Sequence, residues 1–212
     1  MPDEQQRRPR RPQPMTPEQI EVHAESVDPA KASEIAHETA RILVRTGRAS
    51  DDPKLTATLV DLVAELGLST VADLWSRQPA VSLPGALWRV YALREWIERD
   101  AAGASQDYFE GRIRADVPAA IAGSAEPPSP DAMRDLGHAI LTGVYRGEFD
   151  TALERAAAFC EVVATGRVHR ADLNDGRDEP AARTQTISAS NLRATATDLR
   201  RAAASWRAGT LD

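Results

Sequence analysis

Apolar side chains recur three and four residues apart along most of the chain between residues 27 and 166. Leu55, Leu59 and Leu62 are one example, and this spacing puts side chains on a single face of a helix. Helix starts are indicated by N-capping side chains that a proline follows, at Asp28, Asp52 and Ser129. We find no segment in which polar and apolar residues alternate as they do in a strand. The pattern therefore predicts an all-α fold, an irregular bundle of about eight helices with short connections.

The same spacing assigns the helix faces that should be buried. In the first helix it groups Ile35 and Ile42 with Ala36 on one face. In a helix predicted over 105–115 it aligns Phe109 and Ile113 with the following Val117, each four residues from the last. We expect both sets of side chains to point into the core.

Three segments surround the helical domain predicted for residues 27–166. Residues 1–26 form a basic arm whose prolines oppose helix formation, so we predict that this arm is disordered. Residues 167–187 are polar and contain proline and glycine, which predicts a flexible linker. Residues 188–209 are predicted to form a C-terminal amphipathic helix.

That C-terminal helix carries apolar side chains in a seam of heptad spacing. Its largest members are Leu192, Leu199 and Trp206. A seam of this kind must be buried against its own domain, a second copy of the chain, or a partner. We therefore expect these three residues to form an interface.

Charge narrows the classes of partner. The 212 residues carry a net charge of −6, and almost all positive charge comes from arginine because only Lys31 and Lys54 are lysines. The acidic balance excludes a basic body built to bind nucleic acid. Contact with nucleic acid would fall to the four arginines of the arm, Arg7, Arg8, Arg10 and Arg11.

The sequence also bears on the compartment. The N-terminus lacks the apolar stretch of a secretory signal, and no apolar run approaches the roughly 18 residues that span a bilayer. Cys160 is the single cysteine, so the chain forms no internal disulfide, as expected in a reducing environment. We predict a cytoplasmic protein without a membrane contact.

The motifs do not predict metal binding or catalysis. Glu34 and His37, like Asp135 and His138, have the spacing of di-iron ligands, but both histidines lie opposite the apolar stripe of their helix. Cys160 lies within an apolar stripe, where a thiol stays protonated. The chain contains neither G-x-S-x-G nor a glycine-rich phosphate-binding motif. We therefore predict no metal, no cofactor and no catalytic residue.

The most hydrophobic helix, predicted from Leu87 to about Asp100, holds the candidate binding site. Arg94 falls within its main apolar face, where an unpaired charge would cost several kcal/mol. Glu98, one turn later, is the expected partner. This arginine forms either a structural ion pair or a pocket that receives an anionic group, and the residues around that pocket would be Trp88, Tyr91 and Trp96.

The leading interpretation is a non-catalytic helical protein that acts as an interaction or scaffold module. It would bind a protein partner or a second copy through its C-terminal helix. One alternative is a nucleic-acid-associated protein, accessory to transcription, that uses the arginine arm. The other is a small anionic-ligand pocket, or an enzyme, built around Arg94.

Overall fold

The structure is a computed structural model, and it describes residues 28–50, 52–62, 66–115 and 128–212. Within those residues it contains eight helices and no strand, which confirms the all-α prediction. The helices are α1 (Pro29–Arg48), α2 (Pro53–Val60), α3 (Leu68–Trp75), α4 (Leu83–Arg99), α5 (Ala101–Gly111), α6 (Pro130–Tyr145), α7 (Phe149–Asn174) and α8 (Glu179–Arg207). The predicted arm, residues 1–26, lies outside the described residues. None of the described helices combines the length and apolar character needed to cross a membrane.

Local capping starts most of these helices. The side chains of Asp28, Asp52 and Ser129 each accept a hydrogen bond from a backbone N–H two or three residues later. Such caps contribute about 1 kcal/mol each because they satisfy N–H groups that have no partner within the helix. All three predicted helix starts are confirmed.

Helix α4 lies in the middle of the bundle and packs against α1, α3, α6, α7 and α8. Its main apolar face is fully buried, with Leu87, Tyr91 and Ile97 all inaccessible to solvent. A helix surrounded in this way needs apolar side chains on more than one face, which explains its hydrophobic sequence.

Helices α5 and α7 touch through their backbones at two glycines. A Cβ atom on Gly111 would lie 1.8 Å from the carbonyl oxygen of Val162. A Cβ atom on Gly166 would lie 1.8 Å from the carbonyl oxygen of Asp107. No side chain fits at either position, so the two glycines set how closely α5 approaches α7.

The flexible linker predicted over 167–187 is replaced by a helical hairpin. Helix α7 continues to Asn174, α8 begins at Glu179, and only four residues connect them. The inward positions of this stretch are alanines, among them Ala171 and Ala182, which are buried where the two helices meet. The outward positions are polar, which is typical of a linker, whereas small residues on the other face let the two helices pack closely.

Two predicted core faces are also corrected. On α1, Ile35 and Ile42 are 43% and 52% exposed, and the buried face is instead formed by Ala36, Ala40, Val44 and Gly47. Phe109 of α5 and Ile113, which lies in the turn after α5, point outward, while Val117 lies outside the described residues. In both helices the close contacts are made by small residues, so the neighbouring helix packs on the alanine and glycine side.

Candidate functional site

Arg94 pairs with Asp61 rather than with the expected Glu98. The Arg94 side chain is 13% exposed, and its Nη2 donates to Asp61 Oδ1 at 2.9 Å. Glu98 instead lies 3.6 Å from Arg134 on α6. Asp61 follows the last residue of α2, and the end of α2 reaches α4 here, since the carbonyl oxygen of Leu59 also accepts a hydrogen bond from Tyr91 of α4. The charge of Arg94 is therefore balanced within the fold, although its buried Nε has no hydrogen-bond partner.

Tyr91, also on α4, is fully buried, and its hydroxyl group forms two hydrogen bonds within the fold. Its hydroxyl donates to the carbonyl oxygen of Leu59 at 2.5 Å, and the hydroxyl of Tyr145 lies 2.5 Å from it. Because Tyr91 has a single hydroxyl proton, Tyr145 must donate to Tyr91. Burial raises the pKa of Tyr91 to about 12 and that of Tyr145 well above its usual value, so both phenols are neutral.

Trp88 and Trp96 lie on a different face of α4. The structure does not bring them together with Arg94 and Tyr91, but it does bring them together with Leu192 of α8. These three half-buried side chains line a groove of about 310 Å³ between α4 and α8, which we call the tryptophan groove. Its other lining residues are Arg89, Ala92, Leu93 and Thr195. Residues predicted separately for ligand binding and for an interface thus share one surface.

A buried ion network fixes one end of the groove. Asp107 of α5 is almost fully buried, and its carboxylate accepts hydrogen bonds from Arg167 Nε at 2.7 Å and from Arg170 Nη1 at 2.6 Å. Arg167 also donates to Ser188 Oγ of α8 at 2.6 Å, and its guanidinium carbon lies 5.1 Å from the ring centroid of Trp96. One arginine therefore joins α5, α7 and α8 to the tryptophan groove.

The sequence carried a signal for this network that we missed. Arg167 and Arg170 are three residues apart, which places them on one side of a helix. The linker predicted over 167–187 included both arginines, and a flexible segment offers no fixed partner for Asp107.

The other end of the groove is held by a second ion pair. Arg89 of α4 donates to the carbonyl oxygen of Gly85 at 3.0 Å and to Asp198 of α8 at 3.3 Å. Both partners of this pair are about three-quarters buried, so the contact is less screened than an exposed pair. Helix α8 is thus attached to the bundle by polar contacts on either side of the tryptophan groove.

The remaining residues predicted as an interface are used within the chain. Leu199 is fully buried in the core. Trp206 packs against Phe149 of α7 with 4.5 Å between ring centroids, and Arg48 of α1 lies 5.4 Å from the Trp206 ring. Of the three seam residues, Leu192 is the one that lines the groove.

The described residues offer no other reactive group that the sequence singled out. Cys160 is fully buried, and burial raises the pKa of its thiol to about 12, so it stays protonated. Across the part of the chain that the structure describes, no three His, Cys, Asp or Glu residues are grouped as metal ligands would be. The arm arginines, Arg7, Arg8, Arg10 and Arg11, lie outside the described residues.

Comparison with protein-family models, with curated proteins and with solved structures finds no match for the chain.

Proposed function

We propose that the chain is a helical interaction module that binds an amphipathic helix of a partner protein in the tryptophan groove. The observation that carries this proposal is the presence of Trp88, Trp96 and Leu192, all half-buried, along one groove between α4 and α8. We assign no catalytic step to this groove. We expect the module to act in the cytoplasm, since its one cysteine forms no internal disulfide.

Tryptophan is the residue most enriched among those that dominate binding energy at protein interfaces. Of the other two tryptophans, Trp75 is buried, and Trp206 is half-buried outside this groove and packs on Phe149. Trp88 and Trp96 keep part of their surface open to solvent. A partner that covers both rings would gain apolar burial that the isolated chain lacks.

The groove is also held in a fixed shape. Arg167 holds Trp96 from one side, and the Arg89–Asp198 pair joins α4 to α8 on the other. A preformed surface loses little side-chain entropy when a partner binds, which favours affinity.

Spacing and charge favour a helix as the occupant. Trp88 and Trp96 are eight residues apart on α4, which corresponds to about 12 Å along the helix axis. A partner helix with apolar residues at positions i, i+4 and i+7 covers a similar length of about 10 Å. Arg89, the charged residue among those that line the groove, is paired with Asp198, so an apolar face is the better match.

The test is a selection of displayed helical peptides on the full-length chain. Peptides that bind should carry an apolar stripe, and Trp88→Ala and Leu192→Glu should each weaken their affinity by about tenfold or more. Ile187→Glu is the matched control, since Ile187 is an exposed apolar residue elsewhere on α8 and its substitution should leave affinity unchanged.

Two results would overturn the proposal. One is an affinity that neither groove variant alters, which would place the selected peptides elsewhere. The other is a concentration-dependent dimer that Trp88→Ala dissociates in sedimentation experiments, which would make a second copy the occupant of the groove.

A further inference from the structure

We propose that a cleft at one end of the bundle, separate from the tryptophan groove, binds a small phosphate-bearing anion. The cleft has a volume of about 350 Å³ and is lined by Gly47, Arg48, Ser50, Thr56, Tyr145 and Arg146. These residues belong to the last turn of α1, the segment after it, α2 and the end of α6. None of them lines the tryptophan groove.

The shape of the cleft depends on a glycine. Gly47 is buried, and a Cβ atom there would lie 2.7 Å from Cδ1 of Tyr145. The ends of α1 and α6 therefore meet closely at the base of the cleft. Its volume is within the range of small-molecule sites, at the lower end.

Positive charge in the cleft is not balanced by carboxylates. Arg48 and Arg146 are exposed, and neither forms an ion pair with any described residue. Most arginines on the faces between helices are paired, as Arg207 is with Asp150 and Glu154.

Two negative contributions have to be weighed against the two guanidinium charges. The C-terminal ends of α1 and α6 each carry about half a negative charge, which the two arginines exceed. Asp52 keeps its charge while it accepts a hydrogen bond from the backbone N–H of Lys54, but it is not among the residues that line the cleft. Among the described residues that line the cleft, Arg48 and Arg146 carry the only charged side chains.

Hydroxyl groups of Ser50 and Thr56 add donors to the lining of the cleft. Ser50 Oγ accepts a hydrogen bond from the backbone N–H of Asp52 at 3.1 Å, which leaves its own proton free to donate. The hydroxyl of Thr56 donates only over 3.4 Å, to the carbonyl oxygen of Asp52. Tyr145 adds no negative charge, because its hydroxyl is bound to Tyr91 and burial raises its pKa.

This donor set fits a phosphate better than a carboxylate. Two guanidiniums from different helices and at least one hydroxyl offer more donors than the two oxygens of a carboxylate can accept in one plane. A phosphate group presents three terminal oxygens in a tetrahedral arrangement, and arginine binds such oxygens in pairs. The surrounding volume leaves room for a small organic body attached to the phosphate.

The experiment is a titration of the isotope-labelled full-length chain, followed by the backbone amide signals in NMR at constant ionic strength. The probes are inorganic phosphate, glycerol phosphate and acetate. We expect saturable shifts at Ser50, Thr56 and Arg146 with a phosphate probe, and weaker binding of acetate. Tighter binding of glycerol phosphate would identify a phosphate monoester as the ligand, and equal binding would identify free phosphate.

Charge-removing variants make the test specific. Arg48→Gln and Arg146→Gln should each weaken phosphate binding by about tenfold. Arg77→Gln is the matched control, because Arg77 is exposed and also lacks an ion pair but lies at the end of α3. The proposal fails if no phosphate probe gives saturable shifts at the cleft, if acetate binds as tightly as phosphate, or if Arg77→Gln weakens binding as much as the cleft variants.

Discussion

The guanidinium of Arg167 lies 5.1 Å from the ring centroid of Trp96 while it holds the buried carboxylate of Asp107. A single side chain thus connects the charged interior of the bundle to the groove on its surface. Loss of the carboxylate would leave two arginines, Arg167 and Arg170, without their shared anion. The stability of the fold and the position of Trp96 should therefore change together.

Asp107→Ala should lower the free energy of unfolding by about 3 kcal/mol, since removal of one partner leaves buried charge uncompensated. The fluorescence of the variant should also shift to longer wavelength as Trp96 becomes more exposed. Denaturant unfolding and emission spectra measure the two effects. The control is Asp131→Ala, because Asp131 is 89% exposed and pairs with Arg134 at the surface, so its loss should cost less than about 1 kcal/mol. Equal losses in the two variants would contradict the structural role of Asp107.

The glycine contacts between α5 and α7 give a second prediction. Gly111→Ala and Gly166→Ala should each destabilise the chain by about 3 kcal/mol, because the added methyl would collide with a backbone carbonyl that has no room to move. Gly143→Ala is the control within a helix, since its Cβ would lie 3.3 Å from the Cβ of Ala152. The tight contact and the gain in helix propensity should nearly cancel there, which leaves a change within about 1 kcal/mol. Thermal unfolding of the three variants checks the order, and a stable Gly166→Ala variant would show that α5 and α7 pack farther apart.

The pairing of Arg94 with Asp61 predicts an asymmetry between its two partners. Arg94→Met should change the free energy of unfolding by no more than about 1 kcal/mol, because Asp61 is 48% exposed and stays solvated without its partner. Asp61→Asn should destabilise by about 1 kcal/mol or more, because Arg94 then keeps its charge in a mostly buried position. Urea unfolding of both variants measures the difference. A larger loss for Arg94→Met than for Asp61→Asn would contradict this account.

Features that depend on residues close together in the chain could be predicted from the sequence, whereas contacts between residues far apart in the chain could not. The caps at Asp28, Asp52 and Ser129 act on N–H groups two or three residues away, so they were predicted correctly. The partner of Arg94 lies 33 positions earlier in the chain, and only the tertiary fold brings the two residues into contact. The rule that charged side chains four residues apart on a helix form pairs therefore predicted Glu98 as the partner.

The buried faces show a second limit. The spacing of hydrophobic residues predicts that Ile35 and Ile42 are buried, yet α1 packs through Ala36 and Ala40. Small residues allow the backbones of two helices to approach each other closely. A pattern based on hydrophobicity does not predict this, because it ranks alanine below isoleucine. The hairpin of α7 and α8 was missed for the same reason, because its inward positions are alanines such as Ala182.

The hydrogen-bonded phenols predict how stability depends on alkaline pH. Burial raises the pKa of Tyr91 from 10.0 to about 12, although the hydrogen bond from Tyr145 opposes that rise. The unfolded chain therefore loses the Tyr91 proton near pH 10, while the folded chain keeps it to about pH 12. The stability linked to this proton is fully present below pH 10, falls as pH rises from 10 to 12, and amounts to about 3 kcal/mol at most. Unfolding free energies measured from pH 9 to 12 should show this decline, and the tyrosinate absorbance that Tyr91→Phe removes from the folded chain should appear only near pH 12.

Tyr91→Phe separates this effect from other alkaline titrations. The variant should be less stable at pH 9 by about 2 kcal/mol, because the carbonyl of Leu59 and the hydroxyl of Tyr145 lose their shared partner. Its stability should then decline less steeply between pH 10 and 12, since one proton fewer is linked to folding. Tyr145 and Cys160 remain in the variant, and their raised pKa values contribute to the slope that is left. Identical slopes in the two proteins would show that Tyr91 ionises in the folded chain as easily as in the unfolded one, and that its hydroxyl is reached by solvent.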